Sequence, residues 1–204
     1  MTQRIYCSGP LFSPEEVGGM QAIANVLEAA GYQTFLPHRD GVEPYVLNLV
    51  GLPSGKTVRD AIDRAIFALD IYELIECCDA IVCNLNGRVP DEGMIVEAAI
   101  AYAAGIPIVF YKHDARAPFS GYDNAMLTAL TRGQQVGDVS RIPDAVGKAL
   151  AAERSSVTLS PALQQTVRYG KQVAALFNRL PGTLGKKQWS EAVIQEVLAL
   201  MEGE

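Results

Sequence analysis

The sequence is poor in the residue types that build metal centres and disulfide frameworks. Its 204 residues include four cysteines and two histidines. The cysteines are Cys7, Cys77, Cys78 and Cys83. Their number and spacing fit neither a disulfide framework nor a paired C-x-x-C zinc site, so they predict small buried side chains. His38 and His113 are far apart in the sequence, and a metal ion would need carboxylates to join them. We therefore expect no metal and no other cofactor.

Long apolar runs and an excess of basic charge are also missing. The chain has 17 basic and 23 acidic residues and a net charge of −6, which argues against a nucleic acid polymer as partner. No stretch approaches the roughly 20 apolar residues of a membrane-spanning helix. The start, MTQRIYCSG, lacks the basic region and apolar stretch of a signal peptide. We expect a cytoplasmic protein without a membrane partner.

Segments of strand length alternate with longer helical patterns, which is typical of a parallel sheet with helices on both faces. Strands are predicted at Arg4–Ser8, Gln33–Leu36, Ala80–Leu85 and Ile106–Tyr111, with a weaker one at Gln134–Val136. Helices are predicted at Pro14–Ala30, Thr57–Cys77, Glu92–Ala104, Asp123–Thr131 and Ile142–Ala152. Gly31 and Gly105 follow two of these helices, and glycine best accepts the left-handed conformation that ends a helix. The pattern predicts a doubly wound α/β domain.

A change in composition near residue 153 divides the chain. Residues 154–160 read RSSVTLS and are predicted to link an α/β domain at 1–153 to a C-terminal extension at 154–204. The extension contains two helical patterns, Pro161–Leu180 and Lys186–Met201, with apolar residues at helical spacing. This apolar stripe must pack either on the chain's own domain or on a partner subunit.

Glu97 is the most informative single residue. It is the only charged residue between Met94 and Ala104, in a predicted helix whose other side chains are apolar or small. Such a helix packs closely on the sheet, and a carboxylate there is costly unless it is paired, hydrogen-bonded or protonated. In a cleft, the same burial tunes the pKa of a reactive group. The structural alternative is a scaffold ion pair with Arg88 or Arg116.

Three other residues are candidates by position. Asp91 can cap the helix that contains Glu97, and it follows a strand. Asp91 and the first turn of the helix are therefore expected at the carboxyl edge of a parallel sheet, where open α/β folds bind ligands. Tyr6 lies near the end of the first strand, before a tight turn, where packing is the commoner role of a tyrosine. Asp70 lies seven residues after Asp63 on one helix, where a solvated face is the default interpretation.

Taken together, YCSGPLF at the start, the helical Asp70 and the pattern D-E-G-x-x-x-E-A-A-x-A-Y-A-x-G-x-P-I-V at 91–109 resemble the nucleoside 2-deoxyribosyltransferase family. The resemblance extends from residue 4 to about residue 130. It implies a flavodoxin-like sheet, followed here by the C-terminal helical extension, and a homo-oligomer in which neighbouring chains complete each site. It also implies a nucleoside or nucleotide substrate and a free base as partners.

The resemblance assigns roles to individual residues. Glu97 resembles the nucleophile that attacks C1′ of the sugar, and Tyr6 the phenol that positions it. Asp70 and Asp91 resemble the carboxylates that hold the base and manage its proton, and Asp91 is our choice for the acid. Asn124, in GYDNAML, resembles an asparagine that a neighbouring subunit contributes. The turn residues expected to bind substrate are Gly9 and Phe12.

The sequence leaves three functions open. The first is a transferase that exchanges the base of a 2′-deoxynucleoside through a glycosyl-Glu97 ester. The second is an N-glycoside hydrolase of nucleosides or nucleoside 5′-monophosphates, which uses the same nucleophile with water as acceptor. The third is a nucleotide-sensing module without turnover, because a fold alone does not establish function.

Overall fold

The computed structural model describes residues 2–42, 55–114, 116, 123–131, 134–152, 157–179 and 191–202. Its contacts divide the chain into two compact units. The first comprises Met1–Leu36 and Cys77–Leu159, and the second Pro37–Glu76 and Ser160–Glu204. The domain boundary near residue 153 stays a prediction.

The first unit is built on a five-stranded parallel sheet. Its strands are β1 (Arg4–Ser8), β2 (Gln33–Phe35), β3 (Ala80–Asn84), β4 (Ile108–Tyr111) and β5 (Gln135–Val136). The strand order is β2-β1-β3-β4-β5, and every neighbouring pair is parallel. This is the flavodoxin-like order, in which the chain reverses its direction of winding between β1 and β3. The predicted fold class is confirmed.

Each predicted helix has a counterpart in the structure, whereas the short helix Pro37–Asp40 was not predicted. They are α1 (Pro14–Ala29), α2 (Pro37–Asp40), α3 (Lys56–Tyr72), α4 (Glu92–Ala103), α5 (Ala125–Thr128), α6 (Ile142–Ala151), α7 (Pro161–Arg179) and α8 (Glu191–Glu202). A π-helical segment, Glu73–Cys77, prolongs α3. Gly31 and Gly105 have φ angles of +91° and +71°, which confirms the glycines predicted to end α1 and α4. No helix in the described part of the chain is both long and apolar enough to cross a membrane.

The two faces of the sheet differ in what they bury. Ile5 and Cys7 of β1 belong to an apolar core with residues of α1 and α6. Because side chains alternate along a strand, Tyr6 and Ser8 point to the opposite face, on which α4 packs against β3 and β4. The polar atoms of β1 are therefore on the side of the sheet that α4 covers.

The second unit buries α3 against α7 and α8. The apolar stripe of the C-terminal helices forms one core with Ala61, Ile62, Ala65 and Leu69 of α3. At the crossing of α3 and α7, a Cβ on Gly170 would lie 1.9 Å from the carbonyl oxygen of Ala68, so only glycine permits this approach. Of the two coverings considered from the sequence, packing within the chain is the one observed.

Candidate active site

The site lies at the carboxyl edge of the sheet, where β1 and β3 end side by side. Ser8 pairs with Cys83, so the turn after β1 runs next to the end of β3. A Cβ on Gly9 would lie 2.7 Å from both the Asn84 Cβ and the Met20 Sδ. Glycine at position 9 therefore lets this turn lie directly against β3. This packing role is separate from the substrate-binding role predicted for Gly9, which stays a prediction.

Two hydroxyl groups of β1 hold the carboxylate of Glu97. The Tyr6 hydroxyl donates a hydrogen bond of 2.6 Å to Oε1 of Glu97. The Ser8 hydroxyl donates a hydrogen bond to Oε2. Tyr6 and Ser8 are buried, whereas Glu97 is half-buried. Each oxygen of the carboxylate thus accepts a hydrogen bond from a hydroxyl group of the sheet.

The environment raises the pKa of Glu97 to about 7. Burial is the largest cause, because it disfavours the charged form. The hydrogen bonds from Ser8 and Tyr6 lower this pKa, and the negative charge of Asp91 raises it further. A carboxyl group with such a pKa is available in both protonation states near neutral pH, which is a property of groups that take part in catalysis.

The alternative of a scaffold ion pair does not describe Glu97. Arg116 pairs with Asp114 instead, and its guanidinium holds the pKa of that carboxyl well below its usual range. Arg88 is exposed. Among the described residues, the hydrogen bonds of the Glu97 side chain come from hydroxyl groups and none comes from an arginine.

Asp91 begins α4 one and a half turns before Glu97. Its Oδ1 accepts a hydrogen bond of 2.8 Å from the backbone N–H of Met94, which confirms the predicted N-cap. Its charge acts on the pKa of Glu97. The Asp91 carboxylate therefore both caps α4 and influences the pKa of Glu97.

The structure also describes the surroundings of Phe12, Asn124 and Asp70. Phe12, 85% exposed, follows the turn after β1, and exposed Asn124 caps α5 by accepting a hydrogen bond from the N–H of Met126. Neither forms a hydrogen bond with Glu97. Asp70 belongs to the second unit and is 7% exposed, so the default interpretation of a solvated face was wrong for it. Asp63, half exposed, pairs with Arg59 as that interpretation expects.

Two polar features at the carboxyl edge of the sheet were not predicted from the sequence. Ser8 was predicted only as the last residue of a strand, although its spacing of two residues from Tyr6 places both on one face of β1. Lys112, after β4, forms a buried ion pair of 2.8 Å with Asp123, and its Nζ donates to the Leu85 carbonyl oxygen at 3.3 Å. No short local pattern indicates this pair, because Lys112 and Asp123 are eleven residues apart, near the two ends of the connection between β4 and α5.

A flavodoxin-like sheet with a carboxylate held by two hydroxyls at its carboxyl edge defines an α/β protein, and this arrangement is able to support acid–base or nucleophilic chemistry. Within the described residues, no group of three His, Cys, Asp or Glu side chains could hold a metal ion. The chain belongs to the nucleoside 2-deoxyribosyltransferase family, whose sequence profile matches residues 5–137.

Solved structures share the fold. A conserved protein from Enterococcus faecalis V583 is 20% identical, with a TM-score of 0.54, over 72% of this chain and 99% of its own. A 2-deoxyribosyltransferase from Bacillus psychrosaccharolyticus is 17% identical, with a TM-score of 0.54, over 74% of this chain and 98% of its own. No curated protein sequence matches the chain. At these identities, the likeness to solved structures concerns the fold alone.

Proposed function

We propose that the chain exchanges the base of a 2′-deoxynucleoside, with Glu97 as a covalent nucleophile. The observation that supports this most is the 2.6 Å hydrogen bond from the Tyr6 hydroxyl to Glu97. It joins the two residues that resemble the nucleophile of the family and its positioning group. Membership of a deoxyribosyltransferase family supports the sugar and the bond type.

The reaction has two displacements at C1′. In the first, a Glu97 oxygen bonds to C1′ while the bond from C1′ to the base nitrogen breaks, and the departing base takes a proton from Asp91. In the second, a nitrogen of the incoming base bonds to C1′, the C1′–O bond breaks, and the electron pair returns to Glu97. The acceptor base gives its proton to Asp91. Two displacements retain the configuration at C1′, as in retaining glycosidases.

Asp91 is suited to the proton transfer by its place in the fold. Its Oδ1 accepts the cap bond from Met94, and Oδ2 is the atom that we assign to the proton. Protonation of the base matters because the departing base otherwise bears a negative charge. The charge of Asp91 also raises the pKa of Glu97, so the two carboxyl groups influence each other electrostatically.

Substrate binding is assigned to four further residues. Asp70 is proposed to hold the base, Gly9 and Phe12 to line the substrate, and Asn124 to reach the site of a neighbouring subunit. The exposure of Phe12 and Asn124 leaves both side chains accessible to a ligand or to another chain. The assembly proposed is a homo-oligomer with shared sites.

The products distinguish the three functions. The protein is incubated with a 2′-deoxynucleoside, with and without a free acceptor base, and the products are separated by chromatography. Base exchange supports the transferase. Free sugar without exchange would replace it with the hydrolase, and unchanged substrate would favour a binding module. Glu97→Gln should abolish the reaction, whereas Glu92→Gln, which changes an exposed carboxylate on the same helix, should leave it intact.

A further inference from the structure

Ser8 is the second donor to the carboxylate, and the sequence pattern does not assign it a role. The two donors contact different oxygens of Glu97, Tyr6 at Oε1 and Ser8 at Oε2. A single donor leaves a carboxylate able to rotate about its terminal bond, whereas two donors on two oxygens fix the plane of the group. Because Tyr6 and Ser8 are both buried in one strand, their hydroxyls are held by the sheet itself.

We propose that Ser8 is a positioning residue that holds Oε2 of Glu97 and stabilises the carboxylate when it leaves the glycosyl ester. This inference rests on the proposed function. Its structural basis is the hydrogen bond from the buried Ser8 hydroxyl to Glu97.

The hydrogen bond acts unequally on the two chemical states of Glu97. A hydroxyl that donates to a carboxylate forms a charge-assisted bond, which is roughly twice as strong as a bond to a neutral acceptor. The glycosyl ester is neutral, so the bond weakens when the ester forms and strengthens when the carboxylate is released. During release, the C1′–O bond breaks, the electron pair goes to Glu97 and the acceptor nitrogen bonds to C1′. Ser8 therefore favours the second displacement.

A titration without substrate tests the contact. Protein labelled with 13C at the glutamate carboxyl carbons is titrated by NMR, and Glu97→Gln identifies the Glu97 signal. Loss of a hydrogen bond to a charged group should raise the Glu97 midpoint in Ser8→Ala by about one pH unit. Ser8→Cys fills a similar volume with a weaker donor, so its midpoint should fall between the two. Ser13→Ala is the control. It removes a hydroxyl that accepts a hydrogen bond from the backbone N–H of Glu16 at the start of α1, and it should leave the Glu97 midpoint unchanged.

An unchanged midpoint in Ser8→Ala and Ser8→Cys, at equal folded fraction, would overturn the proposal.

A second measurement tests the leaving-group role. It uses intact-protein mass spectrometry after incubation with a deoxynucleoside and acceptor base. The fraction of protein that carries the sugar should be several times higher in Ser8→Ala than in the wild type, because release of the carboxylate is slowed. An equal or lower fraction, with an active wild type, would overturn this role.

The two measurements separate this inference from the proposed function. If the wild type exchanges no base, the proposed function fails and the leaving-group role fails with it. The titration uses no substrate, so it still decides whether Ser8 holds the carboxylate.

Discussion

The hydroxyl of Tyr6 lies 2.6 Å from Oε1 of Glu97, although the two residues are 91 positions apart in the chain. The Tyr6 ring is buried and packs on Phe35, with ring centroids 5.2 Å apart. Packing on Phe35 thus fixes the Tyr6 ring, and the ring fixes the position of the donor hydroxyl. The sequence left open whether Tyr6 packs or takes part in the site. In the structure it does both, because its packed ring directs the hydroxyl toward the Glu97 carboxylate.

Tyr6→Phe keeps the ring and removes the donor. We expect it to slow base exchange by ~1–3 kcal/mol in activation free energy, as for a hydrogen bond to a charged group. Because the Tyr6 bond lowers the pKa of Glu97, its loss should also move the acid limb of the pH–rate profile to higher pH. Steady-state kinetics across pH provide both values. An unchanged rate and profile would leave Tyr6 with packing alone.

The ionised carboxylate of Glu97 should lower the stability of the fold above about pH 7. Its pKa is raised from 4.5 to about 7 in the folded chain, so the folded state binds more protons than the unfolded state between these values. The stability that this group contributes is complete below about pH 4.5 and is lost as the pH rises through 7. As the pH rises from 4.5 to 8, the free energy of unfolding of Glu97→Gln should therefore increase relative to that of the wild type, by at most about 3 kcal/mol.

Urea unfolding at several pH values measures this difference. Glu92→Gln, a change on the exposed first turn of the same helix, should follow the wild type. A constant difference between Glu97→Gln and the wild type across the range would contradict the raised pKa.

The Lys112–Asp123 pair should be the most sensitive ion pair among those described. Its side chains are 5% and 2% exposed, so Lys112→Met leaves a buried carboxylate without its cation and should cost about 3–5 kcal/mol. The double variant Lys112→Met with Asp123→Leu should recover much of this loss, because no unpaired charge remains. Arg59→Met breaks the exposed pair with Asp63 and should cost less than about 1 kcal/mol. Thermal or urea unfolding compares the variants, and equal losses for the two single changes would contradict the role of burial.

A site shared between neighbouring chains should allow two inactive variants to restore activity when they are mixed. If Asn124 completes the site of a neighbouring chain, Glu97→Ala and Asn124→Ala chains that are inactive alone should recover part of the activity after mixing and reassembly. Some sites in the mixed oligomer then have both intact residues. Full activity of a species that light scattering shows to be monomeric would contradict the shared site.

Local pattern was enough to predict the sheet, but not the polar pairings. The apolar strands and the glycines after α1 and α4 follow from side-chain alternation and backbone freedom, which act over a few residues. Asp70 shares its helical phase with exposed Asp63, so the pattern could not predict its burial. The covering of the C-terminal stripe by α3 is equally non-local, because any apolar surface of suitable shape satisfies the same periodicity.

The role of Glu97 as the covalent nucleophile is tested most directly by locating the sugar on the protein. Wild-type chain is incubated with a 2′-deoxynucleoside without acceptor base, quenched in acid and digested, and the peptides are analysed by tandem mass spectrometry. We predict a deoxyribosyl adduct on Glu97, absent from Glu97→Gln, in which turnover falls by several orders of magnitude. An adduct on another residue, or a Glu97→Gln variant within about tenfold of wild-type activity at equal folded fraction, would contradict the assignment of Glu97 as the nucleophile.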